Sequence, residues 1–487
     1  MRRVPGRTEH VVVVGAGLAG LACALHLAGA GRSVTVVERE PLPGGRAGLL
    51  ELDGYRVDTG PTVLTMPELV DEALAAVGSS LAERLELIPL HPAYRARFAD
   101  GSALDVHTDG AAMEQEVRRF AGPAEAAGYR RLRHWLTEVH RAEMGRFIDA
   151  NFDSPLDLVG PELGRLAVLG GFGRLGPAIG SFLRDERLRR VFSFQALYAG
   201  LDPRRALALY AVISYMDTVG GVWFPRGGMH ALPTALADAA AAAGVRFRYG
   251  AEVRRLERRG DRVVAVHAGQ ERIPADAVVL TPDLPVVHRL LGGRQRRRLR
   301  WSPSAVVVHA GTTRSWPGTE HHTISFGAAW ERTFTEIIRD GRLMSDPSLL
   351  VTRPTASDPG LAPAGRELHY VLAPCPNLRT AGFDWERIGP AYRDELFAVL
   401  EARGFDGFAE SVEVQRVVTP AGWAAQGHAA GTPFSAAHTF AQTGPFRPRN
   451  LLRDPENVVL AGSGTTPGVG VPPVLISGKL AARRITG

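Results

Sequence analysis

The sequence predicts an α/β fold, and three observations carry that expectation. Near the N-terminus a β-branched run, residues 10–14 (HVVVV), leads through Gly15-Ala16-Gly17-Leu18-Ala19-Gly20 into an apolar helical stretch. Gly31 ends that stretch, and residues 33–38 (SVTVVE) supply a second strand. Near the C-terminus Gly462, Gly464, Gly468 and Gly470 precede Pro472 and Pro473, which open a further helix. Between these ends, residues 106–221 have helical patterning, and strands are expected at 305–310 and 369–372. A chain of 487 residues has length for two to three domains. The expected arrangement is a discontinuous dinucleotide domain over 1–105, 222–290 and 452–487. A helical region over 106–221 and a sheet-containing domain over 291–451 are its insertions.

Each element of the first unit has a physical task. Gly15 permits a tight turn, Gly17 lets backbone approach a pyrophosphate, and Gly20 lets helix and strand pack closely. The helix N-terminus offers unpaired N–H groups and the positive end of its dipole to phosphate. Glu38 lies 18 residues beyond Gly20, where a carboxylate accepts from ribose hydroxyls. Composition alone would also allow a signal peptide or membrane span here, since Arg2, Arg3 and Arg7 precede an apolar run over 11–31. The strand–glycine–helix–strand grammar argues against both. Cys23 and His26 fall inside the helix and are expected to pack.

Residues 43–48 (PGGRAG) follow the acidic strand directly. A GG-R segment at this place is a feature of flavoprotein oxidoreductases, and Arg46 becomes a candidate for the pyrophosphate or flavin edge, where a planar guanidinium bridges oxygens. The sequence has one full fingerprint, which disfavours a second nicotinamide domain. Residues 245–249 and 252–256 read as further strands of the first sheet, and 276–282 as a buried strand closing it.

Motifs along most of the chain carry a family resemblance. Residues 54–69 (GYRVDTGPTVLTMPEL) contain a D-x-G-P-T-V-L-T-M-P block, and 224–229 (FPRGGM) a P-x-G-G-M segment. Residues 321–326 (HHTISF), 353–359 (RPTASDP), 370–374 (YVLAP) and 446–450 (FRPRN) follow in order. Residues 459–472 (VLAGSGTTPGVGVP) close the series. This resembles the bacterial carotenoid desaturases of the phytoene desaturase type. The resemblance implies a Rossmann-like FAD-binding domain with an inserted α+β substrate domain and a helical membrane-docking region. It implies FAD as cofactor, held by Gly15, Gly17, Gly20, Glu38 and Arg39, then by Gly45, Arg46, Gly60, Pro61 and Thr62. Val253 would pass the adenine, and Gly462, Gly464, Gly470 and Val471 the flavin. There the dipole of the helix after Pro472 would face charge that accumulates on reduction. Ser463 stands where the family usually has alanine, a conservative change, and Thr466 where it has histidine, which puts any role of that histidine in doubt.

The same resemblance implies a hydrophobic C40 polyene as substrate, phytoene desaturation toward lycopene, and oxygen or a quinone as electron acceptor. It also implies a peripheral seat on the cytoplasmic membrane, and the arginine-flanked apolar helical pieces of 106–221 suit such docking. A related desaturase of modified carotenoids, a carotene isomerase, and a non-catalytic prenyl-binding escort protein of the same fold are the alternatives. The intact fingerprint and Glu38 count against the escort. No residue can be assigned as catalytic base: His321, His322 and Asp358 lie in family-like segments but fit structural roles equally.

Charge and cysteine bound the rest. The 57 basic and 51 acidic residues give +6, an excess too dilute to imply a nucleic-acid partner, and the run RQRRRLR at 294–300 reads as a solvated or headgroup-facing segment. Cys23 and Cys375, two isolated cysteines, exclude a disulfide scaffold, a zinc site and a redox dithiol, and favour the cytosol. Lys479, the single lysine, is expected at the surface.

Overall fold

Five short parallel strands form the first sheet, in the order Val458–Leu460, Ala277–Leu280, His10–Val14, Ser33–Val37, Arg246–Arg248. They belong to a computed structural model that describes residues 1–293, 298–316 and 318–487, so residues 294–297 of the basic run lie outside the described residues. Alternation assigns each β-branched residue to one face. Val11, Val13, Val34, Val36 and Val279 pack against the helices Leu18–Gly29, Ala231–Ala242 and Val471–Thr486. Val12, Val14, Val278 and Leu280 pack on the other side against a three-stranded antiparallel sheet. Both faces are buried, which is why these strands read as uninterrupted apolar runs.

That second sheet corrects one expectation. Arg246–Arg248 joins the parallel sheet, but Val253–Arg259 instead forms a hairpin with Arg262–Ala268, extended by Glu271–Pro274. Val253 and Leu256 are buried while Arg254, Arg255, Arg258 and Arg259 are exposed. A strand with one wet face suits an antiparallel ribbon and cannot lie inside a parallel sheet covered on both sides.

A seven-stranded sheet forms the second body. Its order is Val412–Val418, Ser304–Thr312, Glu367–Cys375, Leu349–Thr352, His322–Phe326, Tyr94–Phe98, Ala103–Val106. The strands foreseen at 305–310 and 369–372 pair here. Residues 94–105, assigned to the cofactor segment from sequence, instead extend this sheet through a parallel pairing of Tyr94–Phe98 with His322–Phe326. On one face Val306, Val308, Val371 and Ala373 meet the helix Trp385–Glu401. On the other, Val307, Leu350, Tyr370 and Leu372 face a cavity. The helices Gly110–Ala121 and Pro123–Glu143, followed by several short helices and turns, make up most of 110–220. No helix among the described residues is long and apolar enough to cross a membrane.

The packing of Leu18–Gly29 depends on two glycines. A Cβ on Gly20 would lie 2.0 Å from the Gly15 carbonyl oxygen, and one on Gly478 2.3 Å from the Ala19 oxygen. Strand, first helix and C-terminal helix therefore close on each other at backbone contact. Cys23 is buried in this layer, as expected of a packing residue.

Candidate functional site

One cavity of about 1460 Å³ runs from the first glycine loop to the inner face of the seven-stranded sheet. It exceeds the roughly 300–1,000 Å³ of ordinary small-molecule pockets. The glycine loop forms one end. Gly15 has φ +107°, and a Cβ there would meet Thr281 Oγ1 at 2.2 Å, so fold geometry alone demands glycine. Gly17 differs. It has φ −72° and ψ 169°, ordinary extended backbone, and a Cβ would meet no protein atom nearer than 3.9 Å. The fold does not demand glycine there; the space its missing side chain leaves belongs to the cavity. Gly17 is also the N-cap of Leu18–Gly29, which has no side-chain cap and no acidic residue in its first turn. Its N-terminal dipole is thus left open to an anion.

Glu38 ends the second strand, 7% exposed and lining the cavity. Its Oε2 accepts from the Ala16 N–H at 2.6 Å and its Oε1 from the Glu40 N–H at 2.9 Å. The carboxylate therefore also braces the glycine loop, a structural duty absent from the motif reading. Arg39 lines the same rim, donating to the Gln426 carbonyl at 2.8 Å. Gly45 (φ +57°) packs on the Gly17 backbone, 3.3 Å from a built Cβ to Gly17 Cα. Arg46 spans the two sequence ends: it donates to Ser463 Oγ, to His428 Nδ1 at 3.2 Å, and lies 3.4 Å from Asp283. Burial and the guanidiniums of Arg46 and Arg39 hold His428 down to about 3, so its ring is neutral and its Nδ1 accepts. Ser463 is thus more than a conservative stand-in for alanine, because its hydroxyl gives Arg46 an acceptor across the site.

Pro61, Thr62, Val253, Gly462, Gly470 and Val471 all line the cavity. Gly60 does too, but its first constraint is packing: a Cβ would fall 1.9 Å from the Arg46 carbonyl oxygen. Gly20 and Gly464 are not among the cavity-lining residues. Gly20 is needed for the helix contact described above, and a Cβ on Gly464 would meet Leu284 Cγ at 2.9 Å. Two motif blocks also explain each other. Asp58, in the first, accepts from the N–H groups of Met229, in the second, and of His230, just after it, at 2.7 and 2.9 Å. Burial pushes the Asp58 carboxyl up to about 6.

Of the three candidates without an assigned role, His322 lines the cavity and the other two do not. His321 packs on Phe224 and reaches Ser357 Oγ at 2.8 Å. Asp358 accepts from the N–H groups of Gly227 and Gly360. Sequence reasoning missed Arg447, fully buried, which donates to the carbonyls of Ser463 at 2.7 Å and Thr465 at 2.9 Å and so holds the C-terminal loop. It missed His438, which lines the cavity and lies against Gly468, two residues from Thr466. The far half of the cavity is apolar, with Phe147, Ile148, Leu158, Leu166, Ile213 and Val212 on its wall. Two acids, Glu143 and Asp217, also reach it.

The family model described as flavin containing amine oxidoreductase matches residues 18–486. A phytoene dehydrogenase of Streptomyces griseus is 70% identical over 491 aligned residues, covering 100% of this chain and 97% of the relative. A zeta-carotene-forming phytoene desaturase of Myxococcus xanthus is 35% identical, covering 98% of this chain and 94% of the relative. Among solved structures, an oxidoreductase of Methanosarcina mazei superposes with a TM-score of 0.63 at 17% identity, covering 96% of this chain and 99% of that one, which shows a common fold.

Proposed function

This chain belongs to the flavin containing amine oxidoreductase family, and from that premise we propose that it is a carotenoid desaturase converting phytoene to lycopene. FAD is the cofactor. The observation that carries the reading is one cavity joining a phosphate-ready glycine cradle to an apolar chamber, in a chain 70% identical over its whole length to a phytoene dehydrogenase. A long hydrocarbon needs such a chamber, because each buried CH₂ contributes about 0.8 kcal/mol.

The residues divide by task. Gly17 and the helix N-terminus behind it would take the pyrophosphate; Glu38 and Arg39 the ribose, and Val253 the adenine. Arg46, Thr62 and the Gly470–Val471 helix start would take the flavin edge. Bound FAD supplies a two-electron acceptor for hydride. The chain's own part is to hold the substrate carbons in reach, keep water out and receive the departing proton. Val307, Leu350 and Leu372 make the sheet face of the wall largely apolar, with Tyr370 and His322 as its polar side chains, so shape and burial would do most to set the register of the polyene. Oxygen or a membrane quinone would serve as the acceptor that takes the electrons onward.

Incubation of the FAD-loaded protein with liposomal phytoene tests this directly. The expected result is coloured product whose chromatography counts the double bonds gained. Unchanged phytoene would sink the assignment, and a product stopping at zeta-carotene would correct only its end point.

Membrane docking is the second part of the proposal. Leu156 is 77% and Val168 88% exposed, and Val159 and Phe172 are exposed beside them. Pro155, Leu158, Leu163, Leu166 and Phe172 of this same segment line the cavity. An apolar outer surface on the segment that walls an apolar chamber suits entry of substrate from lipid. The double substitution Leu156→Asp with Val168→Asp is expected to lower the liposome-bound fraction at least tenfold, about 1.4 kcal/mol, with flavin content unchanged. Undiminished co-sedimentation would assign docking elsewhere.

A further inference from the structure

Resting on the desaturase reading, we propose that Glu143 is the catalytic residue that accepts the proton leaving the substrate carbon. The argument begins from a carboxyl without a partner. Glu143 is the last residue of the helix Pro123–Glu143, 4% exposed, and lines the cavity. Its Oε1 is fully buried with no hydrogen-bond partner, and among the described residues no donor or cation reaches either oxygen.

Every other buried carboxylate among the described residues has donors. Glu38 and Asp358 take backbone N–H groups, Glu125 takes that of Arg184, and Glu138, Asp202 and Glu336 pair with arginines. Asp217, the other acid at the apolar end of the cavity, has the Gln195 amide 3.4 Å from each oxygen. A buried polar group left unpaired bears its desolvation penalty with no bond to offset it, so a leucine or methionine at 143 would stabilise the fold. A group kept at that cost, on the wall of the reaction chamber, calls for a chemical reason.

The local backbone places it. Immediately after Glu143 the chain widens into a π-helical turn, Met144–Ile148, a distortion common at functional sites. This turn also brings Phe147 and Ile148 to the cavity wall. The carboxyl thus sits at the edge of the apolar chamber.

The step balances. Two C–H bonds on adjacent carbons break: one hydrogen leaves as hydride with its electron pair to FAD, the other as a proton to the Glu143 carboxylate. The electron pair of the second bond becomes the new C=C bond. The carboxyl returns its proton to water before the next round.

Burial alone raises this carboxyl well above the usual range. Tyr210, on the facing turn, feels the charge of Glu143, which helps hold its hydroxyl proton in place. His140 and Arg141 on its own helix, Tyr215 and Asp217 on the segment packed against it, and His438 exert no resolved effect on it. Glu162 and Arg165 of the neighbouring helix Pro161–Val168 pair instead with Arg146 and Glu138. Since the ionised form accepts the proton, flavin reduction should accelerate as pH rises through the elevated pKa, and slow below it.

The test is anaerobic single turnover of holoprotein with liposomal phytoene, following flavin bleaching across pH. E143Q is expected to keep flavin and bind phytoene, yet bleach about 100-fold more slowly and without the pH dependence. E143D, which keeps an acid, should recover part of the rate. E143Q bleaching at the wild-type rate with the wild-type pH profile overturns the proposal. A wild type that phytoene does not bleach overturns the desaturase reading itself, and this inference with it. Infrared difference spectra give a readout independent of rate. Reduction of the wild type by phytoene should raise a protonated-carboxyl stretch that E143D shifts and E143Q removes. A wild type without that band sends the proton elsewhere.

Discussion

Gly17→Val is expected to yield a soluble, folded protein that purifies without flavin. The extended backbone of Gly17 (φ −72°, ψ 169°) is one a β-branched residue adopts readily, and a Cβ there has 3.9 Å of clearance from protein atoms. Stability of the apoprotein should therefore move by no more than about 0.5 kcal/mol. The added methyls instead occupy the space between the helix N-terminus and the phosphates it would hold. A loss of at least 100-fold in FAD affinity, about 2.7 kcal/mol, follows. Flavin absorbance against protein concentration measures it, and undiminished FAD content would remove Gly17 from the cofactor site. Gly20→Ala is the control with the opposite signature. Its Cβ would fall 2.0 Å from the Gly15 carbonyl, so the damage is to folding, and the protein should aggregate whether or not FAD is supplied. One glycine motif thus contains two kinds of glycine, which the spacing alone treats alike.

That difference marks how far the sequence could be read. The first strand, glycine turn and helix were legible because their signal is local: period, turn chemistry and capping all act within a few residues. The strand Tyr94–Phe98 is visible locally too, alternating buried and half-buried residues, but its partner His322–Phe326 lies more than two hundred residues away. No local pattern says which sheet such a strand joins. Val253–Arg259 misled for a related reason. A strand was correctly expected, and only its exposed arginine face, seen in three dimensions, excludes it from the doubly covered sheet. Among site residues, the glycines and Glu38 carry a spaced motif, whereas Arg447 acts through carbonyls of a loop sixteen or more residues on. Glu143 was invisible from sequence, since being charged and helical suggests solvent, and the lack of a partner is a property of space.

Lys479→Met should destabilise the protein by about 2–3 kcal/mol, and the reason corrects the surface position expected of this lysine. Lys479 is 3% exposed. Its Nζ donates to both carboxylate oxygens of Glu72, at 2.7 and 3.0 Å, and to Asp149 Oδ2 at 2.6 Å. These three residues tie the C-terminal helix Val471–Thr486 to the helix Glu68–Ala75 and to the residue that ends the π-helical turn after Glu143. Breaking a buried pair by removing one partner costs about 3–5 kcal/mol. Here the side chains of Glu72 and Asp149 remain 43% and 25% exposed, and water recovers part of that. Methionine keeps the apolar stem, so the loss reads the charge. The triple variant Lys479→Met, Glu72→Gln, Asp149→Asn removes all three charges together, and replacing a buried ionic group whole is often near neutral. It should return to within about 1 kcal/mol of the wild type. Urea unfolding of all three proteins decides between the two origins of the effect. A triple variant as unstable as the single one would locate the cost in packing around residue 479. Recovery would show that one ammonium satisfies two carboxylates at the junction where the cofactor-side helix meets the wall of the chamber.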